Sequence, residues 1–100
     1  MLRYVERFTS LLAMDANAEY RFLTTRRNRI SIECSLGTTI SLIPFGEAQG
    51  IVTENLRYPL KRESLRLGER EGLSNIATGS PVTITIERGA LLVAAVRRLD

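Results

Sequence analysis

Val82-Thr83-Ile84-Thr85-Ile86-Glu87, a turn signal at Arg88-Gly89, then Ala90-Leu91-Leu92-Val93-Ala94-Ala95-Val96: this stretch decides the fold class. Val82, Ile84 and Ile86 alternate with Thr83, Thr85 and Glu87. A period of two places one set of side chains on a buried sheet face and the other towards solvent. The β-branched residues suit a pleated strand. The run from Ala90 to Val96 is apolar at every position, so that strand lies centrally in a sheet or against a partner.

Upstream the same period recurs. Tyr20 and Phe22 alternate with Arg21, and Ile30, Ile32 and Cys34 alternate with Ser31 and Glu33. Arg26-Arg27-Asn28 between these runs reads as a hairpin turn. A strand from Thr38 to Ile43 is expected to stop at Pro44, which has no N–H to donate. Further short strands are expected over Gly50 to Glu54 and Ser64 to Leu67. Another carries Leu73 to Ile76, with Gly68 and Gly72 punctuating its approach. About eight short strands with frequent turn signals favour an all-β sandwich or barrel.

The opening differs. Leu2, Val5, Phe8, Leu11 and Leu12 recur at three- and four-residue spacing with Arg3, Glu6 and Arg7 between them, an amphipathic helix of about three turns. Turn-forming Asp15-Ala16-Asn17 ends it. The expected organisation is a helix over residues 1–16 attached to a β domain over residues 17–100.

One hundred residues make a single domain, and 44% hydrophobic with 25% charged residues is ordinary for a soluble globular protein. No run approaches the roughly 20 apolar residues needed to span a bilayer, so no membrane partner is expected. The single Cys34 excludes an internal disulfide and fits a reducing cytoplasm. The net charge of +3 comes from arginine, with Lys61 the only lysine. These arginines are scattered outside Arg26-Arg27-Asn28-Arg29 and Arg97-Arg98, so a nucleic-acid partner is not expected.

Histidine is absent, which removes the commonest general base and metal ligand. One cysteine cannot build a structural zinc site, and Cys34 at an inward strand position reads as a small buried hydrophobe. The only aspartates, Asp15 and Asp100, lie at element ends. The glutamates alternate with polar or basic neighbours on outer faces, and no glycine-rich phosphate loop occurs. No catalytic residue and no metal ligand is therefore assigned.

Binding chemistry is present. Tyr58 precedes Pro59, which biases Tyr58 to an extended backbone and pre-orders an aromatic face. It is either a stacking platform or a core tyrosine at a strand end. Ser74 and Asn75 together offer a hydroxyl, an amide donor and an amide acceptor, enough to read the edge of an aminopyrimidine. They equally suit a turn bonded to its own backbone. Arg57 and Arg62 flank Tyr58 and could approach a phosphate or simply be solvated. Arg26, Arg27 and Arg29 present the same alternatives on their turn.

In order and spacing, Ser41-Leu42-Ile43-Pro44-Phe45-Gly46, Gly50-Ile51-Val52-Thr53, Leu56-Arg57-Tyr58-Pro59-Leu60, Leu67-Gly68 and Ser74-Asn75 resemble the carboxy-terminal thiamin-binding domain of thiamin pyrophosphokinases. Gly89-Ala90-Leu91-Leu92-Val93 is similar to that family's closing strand. The resemblance implies an antiparallel, jelly-roll-like β-sandwich. It implies a homodimer that transfers a pyrophosphoryl group from ATP to the hydroxyethyl oxygen of thiamin. By position, Tyr58 matches the aromatic that stacks on thiamin, and Ser74 and Asn75 match the family's Ser-Asn.

The opening helix resembles the segment joining the family's two domains. The resemblance implies that ATP and magnesium belong to the family's α/β domain, which is not expected within these residues. The chain alone is therefore expected to bind neither and to transfer nothing. A non-enzymatic small-molecule-binding or assembly module is the alternative, and a small basic barrel for single-stranded nucleic acid is a third reading.

Overall fold

The computed structural model describes residues 18–68 and 72–97, with residues 72–74 described by their backbone alone. The helix expected over residues 1–16 lies outside them. The strands are β1 (Ala18–Thr24), β2 (Arg29–Ile32), β3 (Thr39–Glu54), β4 (Lys61–Arg66), β5 (Gly72–Ile76), β6 (Val82–Thr85) and β7 (Arg88–Val96). All pairs are antiparallel. They form one seven-stranded sheet in the order β1-β7-β3-β6-β2, with β4 and β5 also on β3.

The ladders show how one sheet encloses a core. β6 and β7 follow one another along a single edge of β3, from Glu54↔Thr83 to Thr39↔Val96. β2 and β1 follow the other edge of the same run, from Ile32↔Val82 to Ala18↔Val96. β4 and β5 line the far edge of β3. Each long run changes direction near its middle, so the sheet folds over on itself into a nearly barrel-shaped body. The line of corners is stitched by main-chain bonds: Ile86 N–H to Asn28 O, Glu87 N–H to Gln49 O and Leu67 N–H to Gly46 O, each 2.9 Å.

Three local expectations are corrected. Pro44 does not end its strand: β3 runs on through it to Glu54. Proline is tolerated where a ladder is irregular, and the register of β3 against β7 shifts between Pro44 and Ala48. The two strands expected either side of Pro44 are thus one, bent at Gly46, whose φ of 78° suits glycine. Arg26-Arg27-Asn28 is a bend and not a hairpin, because β1 pairs with β7 and β2 with β6. Arg88-Gly89 likewise does not reverse the chain; both residues lie within β7.

The period-two reading holds in β2 and β6 but is reversed in β1, where Leu23 and not Phe22 enters the core. Leu23, Ile40, Leu42, Leu91, Val93 and Ala95 from one wing meet Ile32, Ala48, Ile51, Leu65, Val82, Ile84 and Ile86 from the other in one buried cluster. β7 lies between β1 and β3, which bears out its central placement. Phe22, Leu92 and Ile43 are in register across these strands, on the opposite face from Leu23 and Leu91. There Phe22 packs edge-on against Phe45, with centroids 5.3 Å apart and planes at 79°. Both rings remain about half exposed.

Cys34 packs against the core cluster while partly buried, close to the inward role expected of it. Burial pushes its thiol above the ordinary value; a hydrogen bond with Thr38 opposes this and the charge of Glu19 adds to it. The stability linked to the protonated thiol is intact below the unfolded-state pKa and is lost as pH rises through the raised folded value. We expect iodoacetamide to alkylate native Cys34 markedly more slowly at pH 8 than the same chain in urea. Equal rates, followed by mass spectrometry, would show that the thiol is neither shielded nor shifted.

Candidate functional site

Tyr58 sits on the connection between β3 and β4. The chain there has little freedom. Leu56 and Leu60 are buried in the core on either side of it, while Tyr58 itself is 61% exposed. Leu56 makes a bridge with Ala77, and the Arg57 N–H donates to Ile76 O at 2.9 Å. Thr53 holds Leu60 twice: its N–H donates to Leu60 O at 3.1 Å, and its hydroxyl accepts from Leu60 N–H at 2.9 Å. Asn55, with a φ of 65°, accepts from Thr78 N–H and donates its side-chain amide to Pro81 O at 2.7 Å. Asparagine is among the few residues that take such a backbone with little strain.

The structure brings Tyr58 and Asn75 together. Asn75 is 6% exposed, in β5. Its Oδ1 accepts from the Tyr58 N–H at 3.0 Å and from the Ile76 N–H at 2.9 Å. Its Nδ2 donates to Tyr58 O at 2.9 Å. Ser74 precedes it in the same strand, and its side chain lies outside the described residues. Arg57 places its guanidinium carbon 5.6 Å from the centre of the Tyr58 ring, within the range of a cation–π contact. The product is an exposed aromatic face on a fixed backbone.

Sequence reasoning identified Tyr58 and Asn75 but not Thr53 and Asn55, which hold the connection. An asparagine followed by an apolar residue just after a strand was the available signal for Asn55. Among the described residues, no three carboxylate, thiol or imidazole groups converge to hold a metal ion. No helix among them is long and apolar enough to cross a membrane. The Arg26, Arg27 and Arg29 side chains border a separate hollow of about 560 Å³ with Tyr20, Phe22 and Ile30.

The family model for the thiamin pyrophosphokinase vitamin B1 binding domain matches residues 27–91, a span that contains Tyr58, Ser74 and Asn75. The chain belongs to that family. Solved thiamin pyrophosphokinases share the fold. The Bacillus subtilis protein is 19% identical with a TM-score of 0.72, over 96% of this chain and 50% of that one. The Geobacillus thermodenitrificans protein is 15% identical with a TM-score of 0.70, over 94% and 47% respectively. A family protein from Enterococcus faecalis is 7% identical with a TM-score of 0.67, over 83% and 38%. The chain thus spans half or less of the length of these relatives. No curated protein matches it.

Proposed function

We propose that this chain is the thiamin-binding half of a thiamin pyrophosphokinase. Tyr58 stacks on thiamin and Ser74 hydrogen-bonds it. The observation that carries the reading is the family match over residues 27–91, which includes the one exposed aromatic held on a braced connection. In this reading an α/β domain supplies ATP and magnesium, and the reaction gives thiamin diphosphate and AMP in the cytoplasm. In this reading a jelly-roll-like sandwich carries the site, and the joining helix expected over residues 1–16 lies outside the described residues. The chain pairs as a homodimer, and the half-exposed Phe22 and Phe45 favour an assembly surface on their wing.

The test is titration of thiamin against the chain and its Tyr58→Ala variant, each combined with a catalytic domain. Loss of a stacking face worth about 0.5–1.5 kcal/mol should weaken binding by up to about tenfold. Equal affinities would remove Tyr58 from the site. Without a magnesium-bearing domain, the chain alone should release no AMP from ATP in the presence of thiamin, because nothing would neutralise the charge on the transferring group. Thiamin-dependent AMP release by the purified chain would sink that part of the reading.

A further inference from the structure

We infer that Asn75 is a positioning residue: its buried side chain grips both main-chain polar groups of Tyr58 and so presents the exposed ring in one place. The inference rests on the reading of Tyr58 as the stacking platform. It assigns Asn75 a role other than touching the ligand.

The geometry begins with an interrupted ladder. Next to β5, the chain from Asn55 to Arg57 pairs by main-chain bonds: Leu56 bridges Ala77, and Arg57 N–H donates to Ile76 O. At Tyr58 the partner of both main-chain groups is no longer backbone. Pro59 has no N–H to continue a ladder. The Asn75 amide takes over, carrying an acceptor and a donor with the same chemistry as a peptide group. It receives the Tyr58 N–H at 3.0 Å and returns a bond to Tyr58 O at 2.9 Å. A third bond from Ile76 N–H at 2.9 Å sets the orientation of the amide itself. Burying an amide is costly unless it is bonded, and here Oδ1 accepts two bonds.

The bracketed residue does not place its side chain in the core: the Tyr58 ring is 61% exposed and lies against the Arg57 guanidinium. Leu56 and Leu60 already anchor the connection in the core, so packing alone does not call for a grip on Tyr58. What the bracket adds is a fixed origin for the exposed ring. Order established during folding need not be established again on binding, which is how pre-organisation raises affinity.

The experiment uses the 100-residue chain with thiamin as the probe. Amide hydrogen exchange and ligand-detected NMR are read for wild type, Asn75→Ala, Tyr58→Ala and the double variant. Asn75→Ser serves as a second probe, because its short hydroxyl can reach only one of the two Tyr58 groups. Amides of the central strands report that each variant is folded. The expected result is exchange at Tyr58 at least about tenfold faster in Asn75→Ala, with central amides unchanged. Thiamin retention should fall by a factor close to that of Tyr58→Ala. The double variant should then be no weaker than Tyr58→Ala alone, because both changes remove the same platform.

Losses that add would overturn the inference, since Asn75 would then contact thiamin by itself. Unchanged exchange at Tyr58 would overturn it too. If Tyr58→Ala leaves thiamin retention intact, the stacking reading fails and the functional role of the bracket falls with it. The exchange arm still reports separately whether the bracket exists.

Discussion

Replacing Gly89 by alanine should lower the unfolding free energy by about 2–4 kcal/mol, while the same change at Gly46 costs about 1–2 kcal/mol. Both residues have positive φ, 110° at Gly89 and 78° at Gly46, so each substitution carries backbone strain. They differ in what a methyl group would meet. At Gly46 nothing lies within 4 Å. At Gly89 the methyl would collide with the carbonyl oxygen and carbon of Glu47 and with the Ala48 Cα, all main chain of β3. A flexible side chain could swing aside, but a paired strand cannot without breaking the Ala48↔Gly89 register. Gly89 also donates its N–H to the Thr25 hydroxyl at 3.0 Å, so the loss spreads to the bend between β1 and β2. Against a total of about 5–15 kcal/mol for a domain of this size, the variant should be marginal. Urea unfolding followed by circular dichroism measures both changes. Equal costs would mean that β7 can shift away from β3 freely, and that the corner is not tightly closed.

Leu42→Ala should cost about 2–5 kcal/mol, and Val52→Ala on the same strand less than about 1 kcal/mol. Leu42 is fully buried and belongs to the core cluster, between its ladder partners Val93 on β7 and Gly72 on β5. Removing three carbons there leaves a cavity that two paired strands cannot fill. Val52 lies outside the core cluster with 36% of its surface exposed. Its truncation removes some cross-strand contact with Thr85 and Lys61 and opens no core cavity. Thermal unfolding of both variants provides the comparison. If Val52→Ala proved as costly as Leu42→Ala, the assignment of inner and outer faces on β3 would be wrong, or an unseen surface would cover Val52.

Much of this was readable in the chain. The alternation of Val82, Ile84 and Ile86 with threonine named the three residues that are fully buried in the cluster. The doubly apolar run from Ala90 to Val96 foretold a strand with neighbours on both sides, and β7 has them in β1 and β3. Tyr58 was legible as an aromatic ordered by the following proline. The long reach of β3 was not. Pro44 carries a strong local stop signal, but its missing N–H matters only if the ladder needs one there, and the register shift removes that need. The hairpin at Arg26-Arg27-Asn28 failed for a related reason. Turn chemistry sets where a chain bends, not which strand it bends towards.

Asn75 marks the same division within the candidate site. Its amide could have closed a turn or read a ligand, and nothing in the neighbouring residues distinguishes these uses. The partner that occupies it is Tyr58, 17 residues away in sequence. By itself, the sequence determined the all-β class, the inward-facing Val82, Ile84 and Ile86 and the ordered motifs shared with the thiamin pyrophosphokinase family, because each depends on short spacing and side-chain type. Tertiary structure alone decided that residues 39–54 make one bent strand and that a buried asparagine holds an exposed tyrosine. Both depend on which distant main-chain groups meet, and those pairings are set when the whole sheet closes around its core.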